Sequence, residues 1–159
     1  MMKANVWKPY IFWVLLAEAV GALAGWITQD GMNLYRSVLT KPPLSPPAFV
    51  FPLVWGILFA LMGIDTARIY TSPSSAARSR GLALFLIQLT VNFFWSVIFF
   101  NLQLRGFAFL WLILLWTLVL LMILSFAKTD RIAAILQIPY LLWITFAAYL
   151  NLGAWLLNR

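Results

Sequence analysis

The chain contains no cysteine and no histidine. That excludes disulfides, zinc sites, catalytic Cys/His pairs and haem ligation through either side chain, and it leaves the redox compartment unread. Charge is scarce as well: only 9% of residues are charged, and four of them are acids. No acid–base pair, nucleophile pair or metal cluster emerges from the pattern, so ordinary hydrolytic or transfer chemistry has no residues to carry it. Lysine is missing from every apolar run, since Lys3, Lys8, Lys41 and Lys128 all lie outside them. A retinal-type Schiff base inside a membrane helix is thereby set aside.

What the chain has is apolar surface. Of 159 residues, 64% are hydrophobic, and the mean hydropathy is +0.94. A soluble domain of this size could not hide so much, so the bilayer must act as solvent. The net charge of +7 does not mark a nucleic-acid partner, because the basic residues fall in the gaps between apolar runs, as membrane orientation requires. A helix crossing the hydrocarbon core needs about 20 mostly apolar residues. Five runs qualify, at about 9–28, 49–66, 81–100, 107–127 and 132–156. The expected fold is a single all-α domain, an integral bundle of five transmembrane helices. Residues 29–48 form the one long connection, 67–80 a polar loop, and the rest short turns between antiparallel neighbours.

The first run also resembles a signal peptide, with Lys3 and Lys8 ahead of it and Ala22-Leu23-Ala24 as a cleavage-like site. Glu18 interrupts its apolar core, and Ala17, Gly21 and Gly25 make a small-residue ridge suited to helix packing. It is read as a retained helix. Seven basic residues (Lys3, Lys8, Arg68, Arg78, Arg80, Lys128, Arg131) fall on one side and four (Arg36, Lys41, Arg105, Arg159) on the other. The positive-inside rule then places the N-terminus in the cytoplasm. Glu18 is read as the only acid well inside a span, either an ion-coupling residue or a carboxyl paired within the bundle.

Three faces stand out. Gln88, Asn92, Trp95, Ser96 and Phe99 fall on one side of the third helix. Amides are costly in lipid, so that side should look into the bundle, to bond neighbouring helices or a ligand. Pro52, Trp55, Phe59, Met62 and Thr66 share a face of the second helix. Tyr140, Trp143, Ala147 and Asn151 share one of the fifth, just after Pro139, which should kink it. Such stripes serve packing or a pocket. Trp7, Trp111 and Trp155, near helix ends, suit interfacial anchors. At 1.5 Å per residue, Trp55 should lie roughly 10 Å below the long connection, Asn92 roughly 12 Å and Trp143 roughly 20 Å. The three faces thus meet under residues 29–48, as a small-ligand pocket would be built.

The stretch Lys41-Pro42-Pro43-Leu44-Ser45-Pro46-Pro47 carries four prolines in seven residues. It must run extended, as a lid or as a stiff spacer into the second helix. With Phe51, Trp55, Met62 and Gly63 after it, it resembles the Lys-Pro-x-Trp-x-Pro-Pro…Phe-x-x-x-Trp…Met-Gly signature of the TspO/MBR family, the tryptophan-rich sensory or translocator proteins. Gln88-x-x-x-Asn92-x-x-Trp95-Ser96-x-x-Phe99-Phe100 resembles that family's third helix, and Pro139-Tyr140-Leu141-x-Trp143-x-x-x-Ala147-x-x-Leu150-Asn151 its fifth. The resemblance implies a bacterial-type receptor or sensor, commonly dimeric, in the cell (inner) membrane. It also implies a cavity for porphyrin, haem or similar apolar ligands, lined by Trp55, Phe59, Gln88, Asn92, Trp95, Tyr140, Trp143 and Ala147. Arg36 and Lys41 would meet the propionates. No permanently bound cofactor is implied. Enzymatic activity would be limited to light-dependent porphyrin breakdown at Trp55 and Trp143. A small-solute or ion-coupled transporter is the competing reading. Two departures fall in the covering loop: Leu44 stands where the family has Trp, and Tyr35-Arg36 where it has Trp-Tyr. After Tyr149 the next basic residue is Arg159, too distant for the sterol motif.

Overall fold

The computed structural model describes residues 5–159, so the orienting Lys3 lies outside the described residues. Helices α1 (Lys8–Ile27), α3 (Val50–Thr71), α4 (Ala76–Ser96), α5 (Arg105–Ala127) and α7 (Ile138–Leu157) carry the five spans. Two short helices complete the chain, α2 (Gln29–Val38) after α1, and α6 (Arg131–Leu136) leading into α7. No strand occurs among the described residues. Around the bundle α1 packs between α3 and α4, α5 between α4 and α7, and α6 closes the ring against α3.

Phe85, Met62, Leu112, Leu115, Phe126 and Tyr140 fill the centre, each at most 2% exposed. Phe12, Leu15, Leu110 and Leu142 are more than half exposed. That is the distribution of a protein whose outer solvent is lipid. The small-residue ridge works unevenly. Gly63 of α3 lies against the Val14 backbone, and Gly21 against the Phe59 ring. At neither position is there room for a Cβ, and this is how the two helices come so close. Gly25, two turns above Ala17, meets nothing and opens onto a cavity.

Four parts of the chain differ from the sequence expectation. The polar loop expected at 67–80 shrinks to 72–75, because α3 runs on to Thr71 and α4 starts at Ala76. The connection 29–48 is partly helical, since α2 occupies its first half; only the proline stretch after it is extended. The last run breaks at Gln137, where Pro139 enters the first turn of α7 and supplies no N–H to the preceding turn. The third helix ends in a π-helical turn, Val97–Asn101. One extra residue per turn there rotates Phe99 and Phe100 onto Tyr35 of α2, at ring separations of 5.6 and 5.8 Å. Asn101 Nδ2 donates to Ile27 O at 3.1 Å, which seats the joint between α1 and α2.

At the other end of the bundle Asp130 caps α6, accepting from the Ile132 and Ala133 amides, and pairs with Arg68 of α3 at 2.8 Å. Burial pushes the Asp130 carboxyl up; the bonds from Arg68, Ala133 and Ile132 outweigh it and leave the group below its ordinary range. Its contribution to stability is therefore complete above the unfolded-state value of about 3.9 and is lost as pH falls through the lower folded value. Asp130→Ala should cost about 1–2 kcal/mol, the loss of a helix cap. The measurement is thermal unfolding in detergent, in which the gap between parent and variant should narrow below about pH 4. A gap that persists unchanged in acid would contradict this account.

Candidate ligand cavity

Between α1, α3, α4 and α7, and beneath α2, lies a cavity of about 410 Å³. Its lower wall is aromatic. Trp55 stacks on Phe59 one turn away, at 5.5 Å, and meets the Trp143 ring edge-to-face at 6.4 Å. Phe51 approaches Trp143 from the turn above at 6.0 Å. Across the cavity Trp95 stacks on Phe99 at 5.4 Å and fixes its indole by donating Nε1 to Asn151 Oδ1 at 3.1 Å. Asn151 in turn donates to Arg105 O at 2.8 Å. Trp143 has no such anchor: its Nε1 is buried without an acceptor, so ring contacts alone hold it.

Polar groups enter at two levels. Asn92 reaches the cavity from α4 and donates Nδ2 to Tyr140 Oη at 2.7 Å; Tyr140 donates onward to Gln88 Oε1 at 2.8 Å. Of these three, only Asn92 lines the cavity. Gln88 and Tyr140 stand behind it, 0% and 1% exposed, as a hydrogen-bonded buttress. Near the mouth are Arg36, Lys41 and Tyr35. Lys41 Nζ donates to Arg36 O at 2.9 Å and sits 5.6 Å from the centre of the Tyr35 ring. Burial pushes the Tyr35 phenol up, with the Arg105 charge opposing. Glu18 faces the cavity from α1.

Eight of the residues expected at the site come together here: Trp55, Phe59, Asn92, Trp95, Trp143, Ala147, Arg36 and Lys41. Phe51, Met32 and Tyr35 join them unforeseen. For Met32, Tyr35 and Arg36 the signal was present, an i, i+3, i+4 pattern within the connection. The depth count had set Trp55 and Trp143 about 10 Å apart. Their rings touch instead, because α7 climbs past the start of α3 and runs beside the proline stretch. Leu44 is 83% exposed at φ 67° and is turned out of the cavity, so it adds nothing to the lining. Trp111, expected as an anchor, donates Nε1 to Val91 O at 2.8 Å and bonds α5 to α4. Trp7 and Trp155 are more than one-third exposed, at helix ends.

The proline stretch is bolted to α7. Pro42 rests on Gly153, where any Cβ would collide with its ring. Tyr149 Oη donates to Pro43 O at 2.6 Å, and Asn158 exchanges bonds with Thr40 at 2.8 and 2.9 Å. Ser45 Oγ donates to Pro42 O at 2.7 Å inside the turn.

Five apolar helices around an aromatic cavity define a multi-pass integral membrane protein. The TspO/MBR family model matches residues 13–156, and the chain belongs to that family. It is 38% identical to the tryptophan-rich protein TspO of Chlorobaculum tepidum over 144 residues, covering 90% of this chain and 91% of that protein. It is 36% identical to protein CrtK of Rhodobacter capsulatus, with 99% and 95% covered. With the translocator protein of Ovis aries it shares 31% identity, over 98% and 94% of the two chains.

Removing one bolt should loosen the proline stretch without unfolding the bundle. Tyr149→Phe deletes the bond to Pro43 and costs about 1 kcal/mol locally. Amide exchange over residues 39–48 should accelerate roughly fivefold, the factor that this energy implies. Exchange in α4 and α5 should not change. Equal exchange in parent and variant would show that the bond does not hold the proline stretch.

Proposed function

We propose that this protein is a membrane receptor or sensor that binds tetrapyrroles, porphyrin or haem, in the cavity beneath α2 and the proline stretch. The observation that carries the reading is the pair Trp55 and Trp143, with Phe51 and Phe59 beside them, in an apolar chamber whose cations stand only at the mouth. A flat macrocycle offers π-faces to the indoles, and its propionates would reach Arg36 and Lys41. Asn92 supplies one hydrogen bond below the ring. The volume falls within the ~300–1,000 Å³ usual for small-ligand sites. The lining fits the ring better than a metal. It holds no His or Cys, and the Tyr35 phenol is pushed away from the ionised form that would ligate iron. The Tyr140 phenol stands behind the lining and is already held by Asn92 and Gln88.

The resemblance and the basic residues at the α1 N-terminal end further support a homodimer in the inner membrane with its N-terminus in the cytoplasm. Light-dependent porphyrin breakdown belongs to the same reading. An excited ring stacked beside an oxidisable indole needs no acid–base pair, and Trp143, held by ring contacts alone, is such an indole.

Titration of purified protein, followed by tryptophan quenching, tests the reading. Metal-free porphyrin should bind within about threefold of haem, a difference below ~1 kcal/mol. A hundredfold preference for haem, or no binding of either, would overturn it. In the same samples Trp143→Phe should keep affinity within a few-fold but slow bleaching under light. Equal bleaching in parent and variant would remove the photochemical part alone.

A further inference from the structure

Away from the cavity, toward the α6 end of α3, the bundle buries a second acid. Glu18 is not, as the apolar runs suggest, the only acid well inside a span: α3 continues to Thr71, and Asp65 within it is 0% exposed. One carboxyl oxygen accepts from Thr66 Oγ1 at 3.2 Å, and the other, Oδ2, has no partner. Gln137, 1% exposed at the joint between α6 and α7, faces this carboxyl. Neither Oε1 nor Nε2 of that amide closes a hydrogen bond. Three orphaned polar atoms therefore sit together inside the membrane span.

Among the described residues no cation answers the acid. Arg68, one turn along α3, is taken by Asp130, and Tyr10 of α1 turns to Arg68. Arg78 of α4 is spent on the Ile69 and Tyr70 carbonyls, and Arg131 of α6 is exposed. Lys8 at the start of α1 is exposed too. An unpaired charge in so apolar a place is expensive.

Donor counting identifies what is missing. An ionised carboxylate only accepts. Gln137 Nε2 could satisfy Oδ2, but Oε1 would then face acceptors alone. A metal cation would satisfy both oxygens and leave the Nε2–H group pointing at positive charge. A water could donate to Oδ2 and Oε1 and accept from Nε2–H, but it would leave the carboxylate charge unpaired. One proton on Oδ2 removes the charge and resolves every group: Oδ2–H donates to Oε1, and Nε2–H donates back to the carboxyl. We propose that Asp65 and Gln137 form a proton-binding site within the membrane, separate from the ligand cavity.

The bound proton ties the α6–α7 joint to α3. The site also lies on the helices that carry the cavity floor. Asp65 follows Met62, whose sulfur accepts from Gln88 Nε2 at 3.9 Å, and Gln137 precedes Tyr140 by one turn. The bonded line Asn92–Tyr140–Gln88 thus runs from the cavity toward the proton site.

Infrared spectroscopy of the reconstituted protein at neutral pH decides the question, using aspartate labelled with ¹³C at the carboxyl. The parent should show a carbonyl band of a protonated carboxylic acid that shifts with the label and with D₂O. Asp65→Asn should lose that band. Asparagine keeps a donor and an acceptor toward Gln137, so this variant should fold. Gln137→Leu should keep the band but move it to higher frequency, as a carboxyl freed of its hydrogen bond, and this arm holds even if Asp65→Asn fails to fold. Absence of the band from the parent would overturn the proposal, as would its survival in Asp65→Asn. So would a band that appears only when sodium is removed, which would mean a cation site.

Discussion

The hydrogen-bonded line from Asn92 through Tyr140 to Gln88 ties α4 to α7 across the floor of the cavity. In lipid there is no water to take over for a missing partner, so two amides on one helix face must find each other's complement inside the bundle. A single phenol serves both, accepting from one and donating to the other. Each such interhelical bond contributes only about 0.6 kcal/mol, at most about 1.7. Its larger effect is positional. With Tyr140 fixed against α4, the next turn of α7 presents Trp143 to Trp55, and the cavity acquires its aromatic wall.

The upper half is built on the opposite logic. There the chain cannot bury its backbone in helix, because the prolines forbid it. It closes the cavity with an extended strap whose carbonyls and amides are met by α7 side chains, Tyr149 and Asn158. The result is a floor bonded helix to helix and a cover held by a few separate bonds. The π-turn at the end of α4 joins the two halves, since it turns Phe99 toward both Trp95 and Tyr35.

Much of this was legible in the residues. Long apolar runs marked the five spans, because span length is fixed by the bilayer. Amides at helical spacing marked the inward face of α4, because lipid exposes them at high cost. What escaped depended on partners distant in sequence. Helix α2 is too polar and short to stand out, and it is held by Asn101 and the aromatic pair Phe99 and Phe100. Gln88 and Tyr140 belong to the inward faces but sit one layer behind the cavity, a distinction that periodicity does not carry. Depth counted from helix ends misplaced Trp143 because α7 begins after a break and overshoots. Asp65 looked like the edge of a span because the apolar run fades there, yet α6 covers it.

The central claim is that flat ligands lie against Trp55 and Trp143. The nine tryptophans are spread over the whole molecule, so their indole N–H resonances form a built-in map. Labelled protein titrated with metal-free porphyrin should show ring-current shifts at Trp55 and Trp143, with smaller ones at Trp95. Trp26, 73% exposed on α1, and Trp116 of α5, half-buried outside the cavity lining and bonded to Thr145, should be unmoved. Shifts at Trp26 or Trp116 with Trp55 and Trp143 unchanged would place the ligand on the lipid-facing surface and contradict the account.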